Sequence, residues 1–106
     1  MFRARKPLNL SNLKNVPNGP GVYIIYRADG APFYVGRSIV SIHDRLCCHA
    51  NKTGSRKVRD ALIRGEMLGF EWEEMLSPHQ AEAQLITVLG TSAAGNLRRE
   101  TDPADW

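Results

Sequence analysis

The stretch GVYIIYRADGAPFYVG, residues 21–36, constrains the fold more than any other part of the chain. Two runs rich in β-branched and aromatic residues, VYIIYRA and PFYVGRS, flank an Asp-Gly pair. Asp-Gly between such runs is the strongest short-range hairpin signal. A two-residue turn at Asp29 and Gly30 pairs Ala28 with Ala31, sets Ile25 opposite Tyr34, and sets Tyr23 opposite Gly36. Side chains alternate along a strand, so this register sends Tyr23 and Tyr34 to one face and Tyr26 and Phe33 to the other. A loop one residue longer reverses that relation. Gly36 leaves room beside Tyr23 for a close approach to the backbone.

The remaining elements follow from caps and periodicity. SIVSIHDRLCCHANKTG contains a helix capped by Ser41, with Asp44 three residues on. SRKVRDALIRG is a second helix, opened by Ser55 and closed by Gly65. GFEWEEM alternates Phe70 and Trp72 with Glu71 and Glu73, the pattern of a one-sided strand. SPHQAEAQLITVLG has Ser77 as N-cap, Pro78 at the first helical position and Gly90 past the end. The order β-β-α-α-β-α predicts an α+β domain with a small three-stranded antiparallel sheet flanked by helices. Residues 1–20, with Pro7, Pro17 and Pro20, read as a basic N-terminal arm. The domain itself is expected over residues 21–100, followed by an acidic tail at 101–106.

At 106 residues the chain supports one core. No apolar run is long enough to span a bilayer, and Cys47 and Cys48 are neighbours that read as reduced thiols; a cytoplasmic protein is expected. The net charge of +3 is unevenly spread. Residues 1–65 carry twelve Lys and Arg against Asp29, Asp44 and Asp60, whereas residues 66–106 carry two Arg against eight acids. Clustered cations gain by releasing counterions from phosphates, so this asymmetry points toward nucleic acid; a solvated basic face without a partner explains it equally.

Several residues carry chemistry. Arg45 and His49 stand four apart on the first helix and share one side, beside a core-facing stripe of Ile42 and Leu46. Such a pair can hold a phosphate and move a proton, although spacing alone favours an exposed pair. His43 and Cys47 are also four apart, but too few thiols and imidazoles surround them for structural zinc. Glu82 falls within the apolar stripe of Leu85, Ile86 and Leu89, where a carboxylate is costly unless paired with an Arg or bound to a cation. Lys52, Arg56, Lys57 and Arg59 gather at the start of the second helix, against the helix dipole, and suit a phosphate backbone or plain solvent. Arg3, Arg5 and Lys6 offer a further contact.

Together these residues resemble the GIY-YIG nuclease family. GVY at residues 21–23 and YVG at 34–36 match its two named motifs, and Arg45, His49, Glu82 and Asn96 follow in order. The resemblance implies hydrolysis of a phosphodiester, with DNA the expected substrate, by one divalent metal, Mg²⁺ or Mn²⁺. It implies that Glu82 binds the metal, Arg45 holds the scissile phosphate, and Tyr23 and Tyr34 flank the attacking water. Tyr23 takes the better claim as general base, its phenolate favoured by neighbouring cations. His49 assists proton movement or contacts the phosphate, and Arg37 and Asn96 add nucleic-acid contacts. A binding module of the same fold without turnover is the alternative.

Overall fold

The computed structural model describes residues 6–76 and 78–89; at residues 79, 83, 85, 86, 88 and 89 only the backbone is described. The elements are β1 (Lys6–Pro7), a 3-10 helix (Leu10–Leu13), β2 (Gly21–Tyr26), β3 (Pro32–Ser38), α1 (Ile42–Ala50), α2 (Arg56–Ile63), β4 (Gly69–Glu74) and α3 (Pro78–Leu89). The fold is α+β. Its antiparallel sheet has four strands in the order β1-β4-β2-β3, one more than expected.

The extra strand comes from the segment expected as an arm. Lys6 pairs with Phe70 and Pro7 with Gly69, and the Leu8 amide donates to the Leu68 carbonyl at 2.8 Å. Leu8, Leu13 and Val16 are buried in the main core. From Lys6 onward the segment is therefore part of the domain. Its prolines and asparagines mask three apolar residues whose partners are distant in sequence. The Asn9 side chain caps the 3-10 helix by accepting from the Asn12 amide at 3.0 Å.

The hairpin register holds from Gly21 to Ile25: Tyr23 faces Gly36 and Ile25 faces Tyr34. The turn that produces it is different. Arg27 donates to the Ala31 carbonyl at 2.8 Å and Gly30, at φ 91°, donates back to Arg27, so the loop has three residues, Ala28, Asp29 and Gly30. That shift is undone one step later. Tyr26 pairs with Pro32 while Ile25 pairs with Tyr34, which leaves Phe33 as the extra residue of a β-bulge. The bulge also turns Phe33 into the same core as Tyr23, Ile25 and Tyr34, away from the opposite face expected for it.

β2 is buried at every position because it runs between β3 and β4 and is covered on both faces. Gly21 is required where β2 meets β4: a Cβ there would collide with the Glu73 carbonyl. α3 packs across β3 and β2, and α1 packs on the same two strands as well as on α2 and the 3-10 helix. Ser41 caps α1 as expected, accepting from the Asp44 amide at 3.1 Å. Gly65, at φ 84°, ends α2 as expected. Ser77 and Gly90, the proposed ends of α3, lie outside the described residues. Among the described residues, no helix is long and apolar enough to cross a membrane.

Candidate active site

Tyr23 occupies the middle of the central strand, with Gly36 on one side and Trp72 on the other. Any Cβ at Gly36 would overlap the Tyr23 ring and hydroxyl, so the glycine exists to let the phenol lie across β3. Tyr34 shares the face of Tyr23, as the register requires. Their rings are nearly parallel, 25° apart in plane with centroids separated by 6.4 Å.

His49 closes over both rings. Its imidazole stands edge-on to Tyr23 at 5.4 Å and to Tyr34 at 5.2 Å between centroids. His49 Nε2 lies 2.7 Å from Tyr23 Oη, within hydrogen-bond distance. The Arg45 guanidinium, one turn earlier on α1, is close enough to pull on the Tyr23 hydroxyl electrostatically. The helix geometry makes this possible: Ile42, Arg45, Leu46 and His49 form one buried stripe on α1. Arg45 and His49 are fully buried, which corrects the exposed pair favoured by spacing alone. Periodicity places residues on a face; the phenols on the two neighbouring strands turn that face into a polar interior.

Glu82 of α3 is buried too. Its Oε1 accepts a charge-assisted hydrogen bond from Arg37 Nε at 3.2 Å, and both side chains are largely withdrawn from solvent. The Arg partner demanded by a carboxylate on a buried face is therefore Arg37, which sequence placed as a nucleic-acid contact. Both phenols feel Glu82 electrostatically, so the carboxylate belongs to the same centre.

Burial governs the protonation states. It pushes the Tyr23 hydroxyl up to about 12, against the opposing pull of Arg45. Tyr34 is raised further, first by burial and then by the neighbouring Tyr23. The expected phenolate is thus not the resting state; two neutral phenols are, because removal from water outweighs one guanidinium. His49 is driven down to about 3 by burial and then by Arg45, so its imidazole is neutral.

Among the described residues, no group of three or more His, Cys, Asp or Glu side chains could hold a metal ion. Mg²⁺ needs fewer protein ligands than that: it binds through one or two carboxylates, keeps several waters and takes phosphate oxygens from substrate. The buried carboxylate of Glu82 fits that donor chemistry.

The basic residues lie apart from this centre in character. Lys52, Arg56 and Arg59 are exposed and Lys57 half-buried, which suits a surface that meets phosphates. Arg59 spans to Asp60 at 3.4 Å. Lys52 adopts a left-handed backbone at φ 66° just after α1. Asn96 lies outside the described residues. Sequence reasoning missed Gly54, whose missing side chain accommodates the His49 ring, since a Cβ there would stand 2.5 Å from Nδ1. The one signal was a glycine in a polar loop, which is too common to single out.

No family model matches the chain, and no solved structure matches it significantly. Over 76 residues, 72% of this chain, it is 37% identical to UvrABC system protein C of Saccharophagus degradans. The chain spans 12% of the length of that relative, so it is similar to one segment of a much longer protein.

Proposed function

We propose that this domain is a divalent-metal-dependent endonuclease of the GIY-YIG type that hydrolyses phosphodiester bonds in DNA. The observation that carries the reading is the meeting of Tyr23, Tyr34, Arg45 and His49 in one buried cluster that also feels Glu82. A core built only for stability gains nothing from concentrating a guanidinium, an imidazole and two phenols there, because each must be desolvated and satisfied. Similarity to a segment of UvrABC system protein C supports the same reading.

On this reading Arg45 binds the scissile phosphate and stabilises charge on its oxygens. Tyr23 acts as base only as its phenolate: it first releases its own proton to solvent, its oxygen stabilised by Arg45, and then takes the proton of the attacking water, which Tyr34 orients. His49 steadies the Tyr23 oxygen. Glu82 would hold Mg²⁺ or Mn²⁺, which when bound neutralises charge on the phosphate and on the leaving oxygen. Lys52, Arg56, Lys57 and Arg59 track the backbone on either side.

The Arg37–Glu82 pair favours a second reading, a nucleic-acid-binding module without turnover, because it already occupies one carboxylate oxygen at 3.2 Å. A plasmid-nicking assay separates the two: wild type beside Glu82→Gln, with Mg²⁺ or Mn²⁺ and EDTA controls. Wild type should nick supercoiled DNA, with a loss of about 10²-fold or more in Glu82→Gln, the scale of removing one electrostatic group from such a site. Equal rates would remove the metal-ligand role. Binding without cleavage of plasmid, branched DNA and RNA would establish the second reading.

A further inference from the structure

We propose that Ser55 is a positioning residue of this centre: its backbone N–H fixes the tautomer of His49. The proposal rests on the nuclease reading for what the centre does, but the geometry behind it is independent of that reading.

Ser55 stands at the N-cap of α2, with φ −61° and ψ 138°. A serine there ordinarily turns its oxygen onto a free amide of the first turn. Ser55 makes no such side-chain bond. It is buried.

The backbone of the same residue faces His49. The Ser55 amide donates to His49 Nδ1 at 3.4 Å. Gly54, pressed against that edge of the ring, keeps the amide within reach. A nitrogen that accepts from an N–H must present its lone pair, and a neutral imidazole carries one proton. Burial beside Arg45 keeps His49 neutral. The proton is therefore on Nε2, which donates to Tyr23 Oη at 2.7 Å. Tyr23 Oη thus accepts from His49, and its own proton is directed elsewhere. The opposite tautomer would reverse this, with Nε2 taking the Tyr23 hydroxyl proton as acceptor. Ser55 thus orients Tyr23 through His49.

The test is nitrogen-15 NMR of histidine-labelled protein at neutral pH, with long-range proton–nitrogen correlations assigned to His49. Wild type should show the Nε2–H tautomer alone; an Nδ1–H tautomer or an imidazolium would overturn the proposal without any variant. Ser55→Pro deletes the amide at a φ that proline already adopts, and should lose the preference for Nε2–H. Ser55→Ala keeps the amide and should keep the tautomer. An unchanged tautomer in folded Ser55→Pro, or a lost preference for Nε2–H in Ser55→Ala, would count against the proposal. Because the tautomer is read in the resting protein, a chain that cleaves nothing removes the nuclease reading while the spectrum still decides on Ser55.

Discussion

Tyr23 Oη and His49 Nε2 lie 2.7 Å apart, joining the central strand to α1 inside the core. A charged imidazole would add a proton at Nδ1, the atom that accepts from the Ser55 amide, and His49 is held down to about 3 by burial and Arg45. In the unfolded chain the same group protonates near pH 6.5. The unfolded state therefore binds the extra proton first, and stability present above pH 6.5 is lost as pH falls toward 3. Between pH 6.5 and 5, before ordinary carboxylates titrate, denaturant unfolding should show stability falling by up to about 1.4 kcal/mol per pH unit. His49→Gln should flatten that slope by one proton.

The phenols behave in the opposite sense. Tyr23 is raised to about 12 and Tyr34 further, chiefly by burial. An unfolded phenol ionises near pH ~10, so stability present below that is lost as pH rises through the folded value. Phenolate absorbance should show neither residue titrating at pH ~10 while the fold persists. Tyr23→Phe and Tyr34→Phe should leave the early part of the curve unchanged and remove amplitude only at the alkaline unfolding step.

Gly36→Ala should act on Tyr23 rather than on β3. The new methyl would overlap the ring and hydroxyl of Tyr23, both enclosed by the core. Overpacking of this kind costs about 1–3 kcal/mol. The expected result is a lowered denaturant midpoint together with a weakened Tyr23–His49 contact, visible in the His49 side-chain resonances. Wild-type stability would show that the phenol has another place to go.

The N-terminal segment is also open to test. Leu13 is fully buried among residues of the sheet and α1. Leu13→Ala should cost about 2–5 kcal/mol, the range for a large buried aliphatic cut to alanine. A dispensable arm would give no change. Urea unfolding followed by circular dichroism distinguishes the outcomes.

Nucleic-acid binding, if phosphates meet the head of α2, should be steeply salt-dependent. Arg56 and Arg59 are exposed and Lys57 is half-buried. Replacing one of them with Gln should weaken DNA binding across sequences and reduce the salt slope by roughly one unit per lost phosphate contact. Fluorescence anisotropy at several salt concentrations measures both quantities. An unchanged slope in all three variants would place the phosphate path elsewhere.

Local chemistry was enough for the elements and for part of the site. The strand pair, the capped start of α1, the glycine end of α2 and the alternation of Phe70 and Trp72 are each set by residues within a few positions of one another. The shared face of Tyr23 and Tyr34 was also legible, although the two-residue turn inferred for it is a three-residue loop corrected by a bulge at Phe33. The sequence signal there was the alternation of the strands themselves, which a burial-driven register restores whatever the turn does.

Tertiary structure decided what pairs with what and which charges leave water. Nothing near Leu8, Leu13 and Val16 in sequence shows that they complete the core, because their partners belong to later elements. Nothing near Glu82 names Arg37 as its partner, 45 positions earlier. Arg45 and His49 looked like a surface pair until β2 and β3 beneath α1 each supplied a phenol. Ser55 looked like an ordinary helix cap until His49 came within reach of its amide. Periodicity is written in the order of residues, whereas desolvation and hydrogen-bond satisfaction depend on everything packed around them. The sequence by itself determined the elements and the faces they present; the packed structure determined the protonation states and contacts on which the chemistry depends.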